Sequence, residues 1–224
     1  MLGPWSTVAP LGNPATFGGQ NADAIVIRGS GATANVLVMD HLGGGTARDD
    51  GAIWLPVLLD AQARTATLDW YSTWSVNTAT GALTLPSTDS IAANRPATAS
   101  STAAGSSPQY ADDRDYSTKW SAASASWPAW WKVDLQSVQH IGEVQISWPM
   151  AKGSEAYYRY NLQFSTDGSN WTTLDRTSNT LYGFTVDKPN VTARYLRVQL
   201  VDAVIQNNPN NWYTPALWQV RVLP

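Results

Sequence analysis

Apolar and polar residues alternate in short runs along most of the chain, and Gly, Asn, Asp or Pro clusters break the runs apart. In the first ninety positions such runs cover residues 24–28, 35–40, 53–60, 65–70 and 82–85. Each has strand length and turn residues on both sides, the signature of antiparallel β-structure. Residues 65–70 (TATLDW) alternate small or polar with apolar side chains, so one face of that strand is expected to be buried. Residues 3–20, rich in Pro and Gly, read as an irregular lead-in. Further on, residues 130–135, 144–148, 160–165 and 195–200 again alternate inward apolar with outward polar positions. Asp167-Gly168 supplies a hairpin turn between Phe164 and Trp171. No helical period of useful length appears. The pattern predicts an all-β chain of two β-sandwich modules, the second a jelly roll of about eight strands.

Between them, residues 87–108 (STDSIAANRPATASSTAAGSSP) are almost entirely Ser, Thr, Ala, Gly and Pro. Such a segment is expected to bury little and to stay mobile or extended. The boundary falls near residue 92, dividing the chain into modules over 1–91 and 92–224.

Composition narrows the function classes. Charged residues make up 14% of the 224 positions, aromatics 11%, and there are twelve Trp, two Glu and no Cys. That profile suits a β-rich extracellular protein and leaves no thiol chemistry. No apolar run is long enough to span a bilayer. Met1-Leu2-Gly3 carries neither a basic nor an apolar leader region, so the start reads as a boundary within a longer protein. Residues 1–90 hold three Arg and seven Asp, whereas 91–224 hold eleven basic and ten acidic groups. Neither part has the basic face that phosphate backbones require, and nucleic acid is not an expected partner. Asp40-His41 and Asp49-Asp50 read as surface and turn residues, because nothing fixes them in a catalytic geometry. Trp54, Trp70 and Trp74 read as packing residues.

One stretch concentrates candidate chemistry. YADDRDYSTKW (110–120) offers three carboxylates (Asp112, Asp113, Asp115), two hydroxyls (Ser117, Thr118) and an aromatic stop at Trp120. Ca²⁺ takes six to eight oxygen ligands without strict geometry. Carboxylates at i and i+2 with a Thr five residues on can wrap such an ion. The alternative is a polar turn whose side chains bond their own backbone.

Downstream lie WWKVDL (130–135), IGEVQISW (141–148), YNLQFSTDGSNW (160–171), GFTV (183–186), ARYLRV (193–198) and ALWQVRV (216–222). In that order and spacing, the stretch from about Arg95 to Pro224 resembles the discoidin, or coagulation factor V/VIII type C, domain. Its closest likeness is to the bacterial family 32 carbohydrate-binding modules. The resemblance implies a discoidin-like jelly roll and a first strand just after Arg95. It also implies that Trp120, Trp131, Trp171, Tyr195 and Trp218 pack the core, and that Asp134 and Asp167 are structural. A structural Ca²⁺ would be held by the Tyr110 carbonyl, Asp113, Asp115, Thr118 and Gln219. At Gln219 the family usually has Glu, so a neutral amide replaces a charged ligand; Arg114 stands where the family has Gly.

The same resemblance implies sugar binding by loops at one end of the sandwich. Residues 121–129 contribute Trp127. Residues 149–159 contribute Lys152, Glu155, Tyr157 and Arg159. Residues 207–215 contribute Asn208, Trp212 and Tyr213 amid four Asn. Exposed aromatics and flanking polar groups are the usual ingredients of such pockets. The expected function is a non-catalytic, monomeric carbohydrate-binding module that targets an attached, secreted bacterial glycan-active enzyme, with residues 1–91 as spacer or accessory sandwich. Two rivals remain. An adhesion or lipid-docking module would favour apolar spikes flanked by basic residues, while Trp127 and Trp212 sit among Ser, Ala and Asn. A glycosidase fragment would need paired carboxylates, and with two Glu the candidates are Asp residues in turns.

Overall fold

A computed structural model describes residues 11–41, 51–150, 156–205 and 213–224. Strands β1 (Gly19–Arg28), β2 (Thr33–His41), β3 (Ala52–Asp60) and β4 (Thr65–Leu68) form one antiparallel sheet in chain order. Leu37 lies opposite Leu55, and Met39 opposite Ile53. Cross-strand partners share a face, so these apolar positions form one side of the sheet. A small hairpin of β5 (Ser75–Val76) and β6 (Leu83–Thr84) follows. The expected sandwich here has its second layer in the other module. Phe17, Met39, Ile53, Leu55 and Leu68 share one buried cluster with Phe184, and Val186 packs against it.

The remaining strands are β7 (Ala97–Ala99), β8 (Trp120–Ser121), β9 (Ala129–Ile141), β10 (Glu143–Ser147), β11 (Ala156–Ser165), β12 (Thr172–Arg176), β13 (Phe184–Asp187), β14 (Val191–Ile205), β15 (Ala216–Leu217) and β16 (Gln219–Leu223). One sheet runs β12-β11-β14-β9-β7, and the other β13-β10-β16, with β15-β8 as a short pair. The main core lies between the two sheets. Alternation builds it: Ala156, Tyr158, Tyr160, Leu162 and Phe164 of β11 are buried, as are Ala129, Trp131, Val133 and Leu135 of β9.

Strand β10 breaks that alternation, because all five of its residues are buried. Val144 and Ile146 face the sandwich core. The polar set Glu143, Gln145 and Ser147 lies on the other side, beneath the N-terminal sheet. Glu143 Oε1 accepts hydrogen bonds from Ser72 Oγ at 2.7 Å and Gln145 Nε2 at 2.6 Å. Asn13 Nδ2 donates to Ser147 Oγ at 3.1 Å. Arg221 pairs with Asp69 and donates to the Thr88 carbonyl at 2.7 Å. Buried polar groups are mostly bonded, and here the docking supplies partners to Glu143 and Ser147.

Three expectations need correction. Residues 87–108 bury little, as expected, but are anchored at a few points. Ala92 and Ala97 are buried, β7 borders the five-stranded sheet, and Ile91 N–H donates to the Val222 carbonyl at 2.8 Å. Small side chains let that segment lie close against the sheet; lack of bulk is not mobility. Trp171, Tyr195 and Trp218 lie only partly buried, on the outer surface. Each carries a cation on its ring: Arg197 at 4.4 Å, Arg194 at 5.0 Å and Lys119 at 5.0 Å. Trp54 is 49% exposed, and its carbonyl accepts from the Trp74 indole at 2.8 Å. Trp120 and Trp131 are fully buried as expected, joined by Trp148.

Candidate functional site

Three loop segments meet at one end of the sandwich. Trp127, just ahead of β9, is partly buried, and its indole N–H donates to the Tyr213 carbonyl at 3.0 Å. Tyr158 on β11 lies beneath both: its ring centroid is 6.5 Å from Trp127 and 6.4 Å from Tyr213. Tyr158 in turn stacks on Trp148 at 4.6 Å and 13°. The hydroxyls tie the third segment down. Tyr158 donates to the Pro149 carbonyl at 2.8 Å, and Tyr213 to the Met150 carbonyl at 3.2 Å. Burial raises both phenols above their ordinary range, so both remain protonated donors at neutral pH. Trp127 and Tyr213 both pack against the main core, so the arrangement holds a half-buried, oriented indole at the rim of the sandwich.

Tyr157 and Arg159 lie elsewhere. They alternate with the buried Tyr158 and Tyr160, so they leave β11 on the opposite face of the sheet. Tyr157 packs its ring 6.0 Å from Tyr182, and Arg159 pairs with Asp202 at 3.5 Å. Lys152, Glu155, Asn208 and Trp212 lie outside the described residues. Of the residues that support the site, Trp148 reads in the sequence as the end of a strand, and Tyr158 falls unremarked within the expected loop 149–159. The period-two burial of β11 is the signal that singles out Tyr158.

The acidic loop brings all five expected metal ligands together. Asp113 Oδ1 accepts from Asp115 N–H at 2.9 Å, and Asp113 Oδ2 from the Thr118 hydroxyl at 2.6 Å. Asp115 Oδ1 accepts from Ser117 N–H at 2.8 Å; bonds from the Ser117 backbone and hydroxyl hold that carboxyl below its ordinary value. At the centre of the group is the side-chain nitrogen of Gln219, 3.1 Å from the Tyr110 carbonyl, 2.6 Å from Asp113 Oδ1 and 3.1 Å from the Asp115 carbonyl. An N–H donor bound to the oxygens meant for a cation does not fit Ca²⁺, which is held by oxygen ligands alone. Asp112 is a surprise. It is 1% exposed, and neither carboxylate oxygen makes a hydrogen bond of normal geometry. Burial pushes its carboxyl up to about 7.

Beside this loop, between the N-terminal sheet and the sandwich, is a cavity of about 340 Å³ whose lining includes Asp69, Asp89, Arg114, Tyr116, Gln219 and Arg221. Its polar groups are already engaged: Asp69 with Arg221, Asp89 with Arg114 and Tyr116 with Ser147.

The family model described as the F5/8 type C domain matches residues 96–217. Chitosan-binding module 1 of a chitosanase/glucanase from Paenibacillus sp. IK-5 is 30% identical, with a TM-score of 0.51, over 61% of this chain and 99% of the module. Module 2 of the same enzyme, solved with chitotriose, is 26% identical with a TM-score of 0.52, over 60% of this chain and 99% of that module. A structure described as a glycoside hydrolase aligns with 88% of this chain and 45% of its own, at 16% identity and a TM-score of 0.50. That likeness concerns fold alone, and it extends into the N-terminal sheet. No curated protein matches the sequence.

Proposed function

Because the chain belongs to the F5/8 type C domain family, whose model spans residues 96–217, we propose that its sandwich is a carbohydrate-binding module for short chitosan-type oligosaccharides. The observation that carries this reading is the convergence of three loop segments around Tyr158 and Tyr213, with the Trp127 indole N–H committed to the Tyr213 carbonyl. That bond fixes the ring plane before any ligand arrives, and preorganisation reduces the entropy lost on binding. The C–H face of a sugar ring would stack on the indole, and loop polar groups would take up the hydroxyls. Two similar modules, at 30% and 26% identity, are described as chitosan-binding, which supports amino sugars as the first ligands to test.

The reading is of binding without a chemical step. Asp134 is held by both arms of Arg194 at 2.8 Å. Asp187 accepts from the Tyr160 hydroxyl at 2.6 Å and pairs with Arg176 at 2.7 Å. Asp167 caps its turn through Ser169 and Asn170 N–H, both at 2.8 Å. These carboxylates are occupied in holding the scaffold. Weak binding of one or two sugar units gains force when it is linked to a second binding event. The role we assign is to keep an attached, secreted glycan-active enzyme on its polysaccharide, with the N-terminal sheet as a docked spacer.

Isothermal titration with chitotriose, and with cellotriose for comparison, tests this. The native chain is expected to bind chitotriose, and Trp127→Ala to weaken binding about tenfold, roughly 1.4 kcal/mol. A native chain that binds neither sugar, or a Trp127→Ala variant that binds as the native does, would overturn the reading.

A further inference from the structure

We propose that the side-chain amide of Gln219 takes the place of a bound cation in this chain, so that the acidic loop is tied to the last strand without metal. Gln219 is 2% exposed and opens β16, where it pairs with Ser147 of β10. Its Nε2 donates to the Tyr110 carbonyl, Asp113 Oδ1 and the Asp115 carbonyl at 3.1, 2.6 and 3.1 Å. Its Oε1 accepts from Arg114 N–H at 3.0 Å. Four partners thus fix the orientation of the amide. Turned over, the oxygen would face three acceptors and the nitrogen would face a donor.

Those three oxygens come from the residues expected to ligate Ca²⁺. An ion in the same place would need Gln219 to reverse, which strips Arg114 N–H of its acceptor in a part-buried setting and carries a penalty. It would also need six to eight oxygens, where the loop turns Tyr110, Asp113 and Asp115 toward a nitrogen. The Thr118 hydroxyl is likewise committed to Asp113 Oδ2 at 2.6 Å. Arg114 adds a positive charge close by, its guanidinium 3.5 Å from Asp89. The two hydrogens of the NH₂ group reach all three oxygens with one hydrogen shared between two of them, which places a donor where an ion would need oxygen ligands. The loop that runs from Tyr110 to Thr118 is therefore joined to β16 by hydrogen bonds written into the sequence.

Thermal unfolding of the full chain in EDTA, and again with millimolar calcium chloride, tests the proposal. The native chain is expected to unfold at the same temperature in both, within about 1 °C, since a ligand that does not bind the folded state cannot stabilise it. Gln219→Ala is expected to unfold earlier, by on the order of 5 °C, with no recovery on adding calcium. Gln219→Glu, which sets a second carboxylate beside that of Asp113 among these oxygens, is expected to fall in EDTA and to recover in calcium. A native chain that loses several degrees in EDTA and regains them in calcium would overturn the proposal, as would a Gln219→Ala variant that unfolds at the native temperature.

Discussion

A carboxyl group taken out of water prefers to keep its proton, and burial raises the Asp112 carboxyl from an ordinary 3.8 to about 7 against the opposing pull of the Arg95 backbone N–H. The folded-state value lies above the unfolded one, so protonation favours folding. This contribution is fully present below about 4 and is lost as the pH rises through about 7. An Asp112→Asn variant keeps the shape without the ionisation. Measured in EDTA by urea unfolding, its stability advantage over the native chain is expected to be near zero at pH 4, to grow up to pH 7 and to level off above. A difference independent of pH would contradict the burial argument. The sequence displayed Asp112 as one of three loop carboxylates and gave no sign of which one is enclosed. Gln219 was legible as a departure from the resembled family, but the direction its amide faces depends on four partners more than a hundred residues away. Trp127 and Tyr213 were legible because aromatics in polar loops stand out. Tyr157 and Arg159 were not separable from them, since a loop-to-strand boundary decides which face each residue takes.

At the scale of elements, alternation revealed the strands in both units, because period-two burial is written directly into the sequence. The docking of the two units was hidden. EVQIS in β10 reads as a strand with one wet face, yet Glu143, Gln145 and Ser147 are buried, with Ser72 and Asn13 of the N-terminal unit bonded to Glu143 and Ser147. Two glycines allow the sheet to come so close. Gly18 adopts φ +72°, and a Cβ there would overlap the Tyr182 carbonyl; Gly183 adopts φ +63°, and a Cβ there would overlap that of Ala15. Phe17 then meets Phe184 edge-on at 5.0 Å, and Trp70 meets the same ring at 4.9 Å. Gly18→Ala meets both a backbone penalty and a steric clash. We expect it to loosen the docked sheet, seen as a lower first transition in calorimetry and faster proteolysis within the N-terminal unit. A single transition at the native temperature would show that the contact bears no strain.

At the scale of the whole molecule, the chain is a discoidin-type sandwich with a four-stranded sheet docked on the face of its smaller sheet. The proposed sugar site lies where the loops around Trp127, Tyr213 and Pro149 meet. The acidic loop is tied separately, by Gln219 to β16. This division of labour predicts that ligand contact and scaffold integrity can be altered independently. The most direct test is to follow the Trp127 indole N–H by two-dimensional nuclear magnetic resonance while chitotriose is added. The account predicts a progressive shift of that resonance and of the Tyr213 and Met150 amides, with Gln219, Gly18 and the strand β11 residues Tyr157 and Arg159 unmoved. Shifts confined to the N-terminal sheet or to the outer face of the five-stranded sheet, with Trp127 unchanged at saturating sugar, would contradict it.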